Sequence, residues 1–320
     1  MSRTYPWPLF ATAVAMFVMF VAAVPHAAGR RSGDVHLLVL STTSDRGELD
    51  PCGCATNNKG GLGRRATFVD SLRTANGGVL LLDGGDYAHP TLTRDDRVNS
   101  FILRTMGELN YDAMTLGELE LYRGPKYVQS IVESSKIPIV LANVKYAASG
   151  KSVGQPFLLH EVKGVSCAII GLLGQDFGDG EGKFSELGFT VDDPFQTAQK
   201  LVPEVRKQAD LVIVLAHLGS SDALKLPKSV PGIDLIIFGH YPGSVAASQL
   251  EGAIAVRPGQ RGEYVGETQL VVNPENKIVS FSGKAVALSV KTIKEEPRIA
   301  AEIKALKEKL PAEPPGKESG

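Results

Sequence analysis

The chain has almost no net charge. Its 34 Lys and Arg stand against 35 Asp and Glu, leaving −1 over 320 residues. That balance gives none of the basic footprint expected of a nucleic-acid partner. Cysteine is scarce, at three residues, and none stands beside the apolar N-terminal run, which argues against a lipoprotein anchor. No internal repeat is visible, and no region outside the N-terminus calls for a membrane. The apolar share, 43%, is that of an ordinary globular protein.

What is present begins with a targeting segment. Arg3 gives a short basic start, residues 9–24 are apolar, and Ala27, Ala28 and Gly29 precede Arg30 and Arg31. Residues 1–29 are expected to be a cleaved signal peptide, or else an uncleaved N-terminal anchor, since the run is nearly long enough to span a bilayer. Either way the body of the protein is expected outside the cytoplasm, periplasmic or secreted. A membrane partner is expected only if the segment stays uncleaved.

Four short segments end strand-like apolar runs with a metal-ligand side chain. They close on Asp86 (after Leu80-Leu81-Leu82-Asp83-Gly84-Gly85), Glu118 (after Thr115-Leu116-Gly117), His217 (after Val212 to Ala216) and His240 (after Leu235 to Gly239). A ligand directly after a buried apolar run falls at a strand end, where α/β sheets place their sites. Carboxylate oxygen with imidazole nitrogen suits Zn, Mn or Fe.

The order and wording of these segments resemble the calcineurin-like metallophosphoesterases, and within them the 5'-nucleotidase / UDP-sugar hydrolase family. Gly60-Gly61-Leu62-Gly63-Arg64-Arg65 resembles that family's Gly-Gly-x-Ala-Arg helix opening. Asp83-Gly84-Gly85-Asp86 is similar to its Gly-Asp motif, Asn110 to Gly117 to the approach to Gly-Asn-His-Glu, and Gly239-His240 to its Gly-His-x-His or Gly-His-x-Gln segment. Val256 to Gly266 resembles the hairpin closing the catalytic domain. The resemblance runs from about residue 36 to 290 and implies an α/β fold, the four-layer α/β/β/α sandwich, over residues 35–292. Residues 293–310 are expected to add a C-terminal helix and 311–320 a disordered tail. The chain ends soon after the hairpin, so the family's C-terminal substrate domain is expected to be missing.

The departures from the family bear on function. Where it opens with an Asp-x-His pair of metal ligands, an ungapped alignment puts Ser44 and Arg46. A one-residue slip would bring in Asp45 at the cost of the Gly47 match. Glu118 stands for the ligand Asn, Leu119 for the leaving-group His, and Pro242 for the final ligand. One implied site keeps only the shared Asp86, while the other reads Asp86, Glu118, His217 and His240. The expectation is one divalent transition metal (Zn, Mn or Fe) and weak or altered phosphoester hydrolysis, because a single ion lacks the two-metal clamp.

Other candidates are weaker. Cys52 and Cys54, one residue apart, are candidates for a redox pair or a second metal site, against a plain loop disulfide or spare thiols. Their Pro-Cys-Gly-Cys setting resembles a UDP-sugar-hydrolase-like subgroup in which one cysteine can be selenocysteine, implying redox chemistry and a redox partner. Cys167 reads as a core thiol. Arg64 and Arg65 at a helix start, and Asn143 at a strand end, are candidates for a small phosphorylated or anionic ligand; Arg257 and Arg261 flank the late hairpin. His89 and His160 read as loop and surface residues. The rival functions are a redox or metal-binding protein using the cysteine pair, and a non-catalytic binding protein.

Overall fold

The computed structural model describes residues 31–51, 58–92, 95–175 and 183–311. The expected signal or anchor segment, the Cys52-Gly53-Cys54 motif and nearly all of the expected tail lie outside the described residues. Among the described residues, no helix is long and apolar enough to cross a membrane.

Two sheets carry the fold. In the first, β1 (Val35–Thr42) runs parallel to β2 (Val79–Asp83), which pairs in turn with β3 (Ala113–Met114). β12 (Tyr264–Val272) lies antiparallel on the other side of β1, with β13 (Ile278–Ala287) outside it. The second sheet has a parallel centre of β6 (Val165–Leu173), β8 (Leu211–His217), β9 (Leu235–Phe238) and β11 (Ala253–Arg257). Antiparallel β5 (Phe157–Val162) and β10 (Val245–Leu250) form its edges. β4 (Val144–Tyr146) and β7 (Phe189–Val191) make a separate small ribbon.

Side-chain alternation stacks these sheets. Leu37, Val39, Leu80 and Leu82 point toward the second sheet and meet Cys167, Ile169, Ile213, Leu215 and Ile237. Their neighbours Leu38, Leu40 and Leu81 face outward to α1 (Leu62–Asn76), α2 (Asp96–Glu108), α4 (Pro125–Ser134) and α7 (Pro297–Lys307). Ala168, Ile170, Val212 and Val214 face α5 (Pro194–Val205) and α6 (Ser220–Ser229). The period of two therefore builds a helix–sheet–sheet–helix sandwich, the expected α/β architecture. Strands apolar on both faces are what a doubly covered parallel sheet requires. Cys167 is fully buried in the layer between the sheets, as a core thiol should be.

The structure departs from the sequence-based expectation in two places. Residues 139–143 form no ladder strand: Val140 N–H bonds Met114, Leu141 N–H bonds Gln155, and Ala142 N–H bonds Gly171. Hydrogen bonds spread over three segments tie an apolar run inside the molecule without placing it in a sheet. Glu118 also does not end a strand; it opens a single-turn helix, α3 (Glu118–Leu121), four residues beyond β3. Asp95 caps α2 by accepting the Arg97 N–H.

Candidate metal centre

Asp86, Glu118, His217 and His240 offer ligand atoms that all lie within 4.8 Å of one another. Four separate elements bring them there: the turn after β2, the first residue of α3, the last residue of β8 and the turn after β9. His217 is buried; its Nδ1 lies 2.7 Å from the Gly84 carbonyl and its Nε2 2.8 Å from Glu118 Oε2. A carbonyl can only accept, so Nδ1 carries the proton there and Nε2 is turned to the centre, an orientation suited to metal ligation. His240 Nδ1 lies 2.9 Å from Glu118 Oε1. The two imidazoles meet edge to face at 5.6 Å between ring centroids.

Asp86 divides its oxygens. Oδ1 accepts the Leu119 N–H at 3.1 Å. Oδ2 is buried with no hydrogen-bond partner, 3.4 Å from His217 Nε2 and 4.0 Å from His240 Nδ1. An orphaned buried carboxylate oxygen facing two imidazoles fits a divalent cation, and the donor set is the oxygen and nitrogen mix that Zn, Mn and Fe accept. The electrostatics agree. Burial and the Glu118 charge push Asp86 above its usual value. Burial opposes ionisation of Glu118, yet the two imidazoles hold it well below its usual value. Burial opposes the charged form of His217, yet Asp86 and Glu118 hold its pKa well above the usual value. The pocket calls for positive charge.

Close approach depends on glycine. A Cβ at Gly117 would overlap Asp86 Oδ1, and one at Gly239 would overlap Thr43 Oγ1. Five of the non-glycine residues with left-handed backbone belong to this end of the molecule: Ser44, Arg46, Asp86, His240 and Arg261. Strain of this kind gathers where a loop must aim a side chain.

The opening turn lies against the Asp86 turn. Ser44 N–H, Arg46 N–H and Gly47 N–H bond the carbonyls of Gly85, Asp86 and Tyr87 in succession. Ser44 Oγ accepts the His240 backbone N–H at 3.1 Å. Asp45, the residue a slip would have used, is turned away: both its oxygens take a buried two-pronged ion pair with Arg65, at 2.7 and 2.5 Å. The side chain of Leu119 packs in the helix-side core and Pro242 is exposed.

The anion-binding candidates are redirected by their partners. Arg65 is fully buried on Asp45 and the Tyr111 hydroxyl, so it faces no external anion. Arg64 is held by Glu295 at 2.7 Å and the Gly60 carbonyl. Asn143 spends its amide on the Leu173 and Asp192 backbones, splicing β6 to the segment before α5. His89 lies outside the ligand quartet, and His160, on edge strand β5, sits 3.5 Å from Asp112. Cys52 and Cys54 lie outside the described residues.

Sequence reasoning misses Glu120. It is fully buried, and its carboxylate accepts the N–H groups of Asp86, Ala88 and Gly117 at 3.1, 2.8 and 2.8 Å. It thus clamps together the two segments that present Asp86 and Glu118. Burial and the neighbouring Asp86 push it up to about 8. One signal is available, since Glu120 stands two residues from a ligand, but it ends no apolar run.

Comparison with known proteins gives the same family. A family model described as calcineurin-like phosphoesterase matches residues 32–243. Snake venom 5'-nucleotidase of Crotalus adamanteus is 27% identical over 92% of this chain and 54% of its own length. A 2',3'-cyclic-nucleotide 2'-phosphodiesterase/3'-nucleotidase of Yersinia enterocolitica is 30% identical over 83% of this chain and 47% of its own. The structure of a 5'-nucleotidase precursor from Thermus thermophilus superposes with a TM-score of 0.73 at 24% identity, covering 86% of this chain and 59% of that one. The chain spans about half the length of the curated relatives it matches.

Proposed function

The chain belongs to the calcineurin-like phosphoesterase family, and from that membership we propose that it is a secreted or periplasmic 5'-nucleotidase-like protein with a reduced, single-metal centre and weak or altered phosphoester hydrolysis. Asp86, Glu118, His217 and His240 would hold the ion. A bound divalent ion supplies Lewis-acid polarisation of a phosphoryl oxygen. The rest falls to the protein. His217 keeps one imidazole nitrogen on Gly84 and turns the other inward, and Glu120 fixes the Asp86 turn. With the Leu119 side chain in the core, that position offers no proton to a leaving group.

The observation that carries this reading is the pairing of Asp45 with Arg65 beside a Ser44 whose hydroxyl meets the His240 backbone N–H and the Thr43 hydroxyl. No carboxylate of the opening turn turns toward the quartet. Extracellular placement rests on the N-terminal apolar segment and on the relatives' kind, a snake venom enzyme among them. Metal analysis of purified protein tests the centre. One equivalent of Zn, Mn or Fe supports the reading, and two tightly held ions overturn it.

A further inference from the structure

Two arginines at the centre's end of the molecule stand out by their partners. Arg64, Arg65, Arg123 and Arg206 are each answered by a carboxylate, from Glu295, Asp45, Asp96 and Asp234 respectively. Arg73 is spent on the Leu109 and Asn110 carbonyls. Among the described residues, Arg46 and Arg257 meet no carboxylate. Both are half-buried.

Both also belong to the frame of the quartet. The Arg46 N–H is bonded to the carbonyl of Asp86 at 3.0 Å. Arg257 ends β11; its Nη1 donates to Ser220 Oγ at 3.2 Å, and its guanidinium carbon lies 5.6 Å from the centroid of the Phe238 ring. Its Nε is buried without a hydrogen-bond partner. Ser220 follows His217 by three residues and Phe238 precedes His240 by two. The loops that present the imidazoles therefore also brace this guanidinium.

A half-buried cation without a counter-charge is costly until an anion arrives. The charge count points the same way. Two carboxylates and two neutral imidazoles around one divalent ion sum to zero, so an arriving dianion finds no surplus positive charge. A second metal would supply it; in this chain the backbone of one arginine, Arg46, is bonded to Asp86, and the guanidinium of another, Arg257, is braced by Ser220 and Phe238. We propose that Arg46 and Arg257 recognise a tetrahedral dianion of the phosphate type at this centre, taking over the charge that a second metal would bring. Guanidinium suits the task because its planar fork offers paired donors to oxyanions. The proposal rests on the single-metal reading above.

The test uses inorganic phosphate as probe and Mn²⁺-loaded protein, with metal content measured first. Arg46→Gln and Arg257→Gln each weaken phosphate binding about tenfold, the scale of one charged hydrogen bond lost, with bound metal unchanged. The Lys variants fall between, keeping charge without the fork. Phosphate dissociation constants within about twofold of wild type in both Gln variants overturn the proposal. If wild type takes up no metal, the single-metal reading falls, and the same comparison in that protein still decides the arginines. Should the variants fail to fold, wild type decides by phenylglyoxal modification and peptide mass spectrometry. Protection of Arg46 and Arg257 by phosphate supports the assignment, and equal modification with and without phosphate overturns it.

Discussion

Ser44 Oγ accepts the backbone N–H of His240 at 3.1 Å. The opening turn thus reaches the loop of a ligand histidine through a hydroxyl and a main-chain group. Its one carboxylate, Asp45, is committed to Arg65 inside the molecule. Ser44 and Arg46 in this turn both take left-handed backbone.

Turnover of nucleoside monophosphates and UDP-sugars should accordingly be slight. Loss of a general acid alone costs about a hundredfold to ten-thousandfold, and the proposed single-metal centre would lack the two-metal clamp as well. Steady-state assays of metal-loaded protein should give a kcat far below the enzyme median of about 10 per second. Single replacements such as Ser44→Asp or Leu119→His should not restore it, because residues that act as a unit do not add. A kcat near that median in the unaltered protein would contradict the account.

The Asp45–Arg65 pair should be a strong determinant of stability. Both side chains are buried, and Arg65 also donates to the Tyr111 hydroxyl. Asp45→Ala leaves a buried guanidinium uncompensated and should cost about 3–5 kcal/mol in denaturant unfolding. The double replacement Asp45→Val with Arg65→Met should cost much less, since apolar substitutes for a whole buried pair are often neutral. Equal losses in the single and double variants would show that the pair is not coupled.

Glu120 should act on the metal through the ligands it holds. Glu120→Gln puts an amide NH₂ where a carboxylate oxygen now accepts N–H groups, so at least one donor is left unmet. Metal affinity should fall about tenfold to a hundredfold, the usual scale for groups that orient ligands. Titration with Co²⁺ followed by its visible spectrum reads both affinity and geometry. Unchanged affinity and spectrum would leave Glu120 a purely structural residue.

Much of this is visible in the sequence. Apolar runs ending in Asp86, His217 and His240 are legible because a buried parallel strand is apolar on both faces and stops at its ligand. Glu118 is found through its neighbours, not its element; a two-residue strand and a one-turn helix carry no periodicity. Asp45 and Arg65 are opaque for a different reason. Twenty residues apart on a loop and a helix, they give no local sign that they face each other. Arg65 therefore reads as an anion site although its anion is internal. Asn143 misleads likewise, since a buried amide serves backbone groups that no pattern reveals.

Asp83 gives a pH signature. Burial and the nearby Asp45 push it up to about 7, from an ordinary value of 3.8. Because the folded value is the higher one, the folded state favours the protonated carboxyl. The associated stability is fully present below about pH 4 and is lost as pH rises toward about 7. Asp83→Asn should flatten that part of the profile, by a difference of at most about 1.4 kcal/mol per pH unit. Parallel profiles for the two proteins between about pH 4 and 7 would refute the assignment.

The central claim is one metal on four residues, and metal stoichiometry tests it most directly. After supplementation with Zn and Mn and removal of loosely bound ions, elemental analysis should find one equivalent per chain. His240→Ala should lose most of it and His89→Ala should keep it, because His240 belongs to the quartet and His89 does not. Two tightly held equivalents in the unaltered protein, none at all, or full occupancy in His240→Ala would contradict the account.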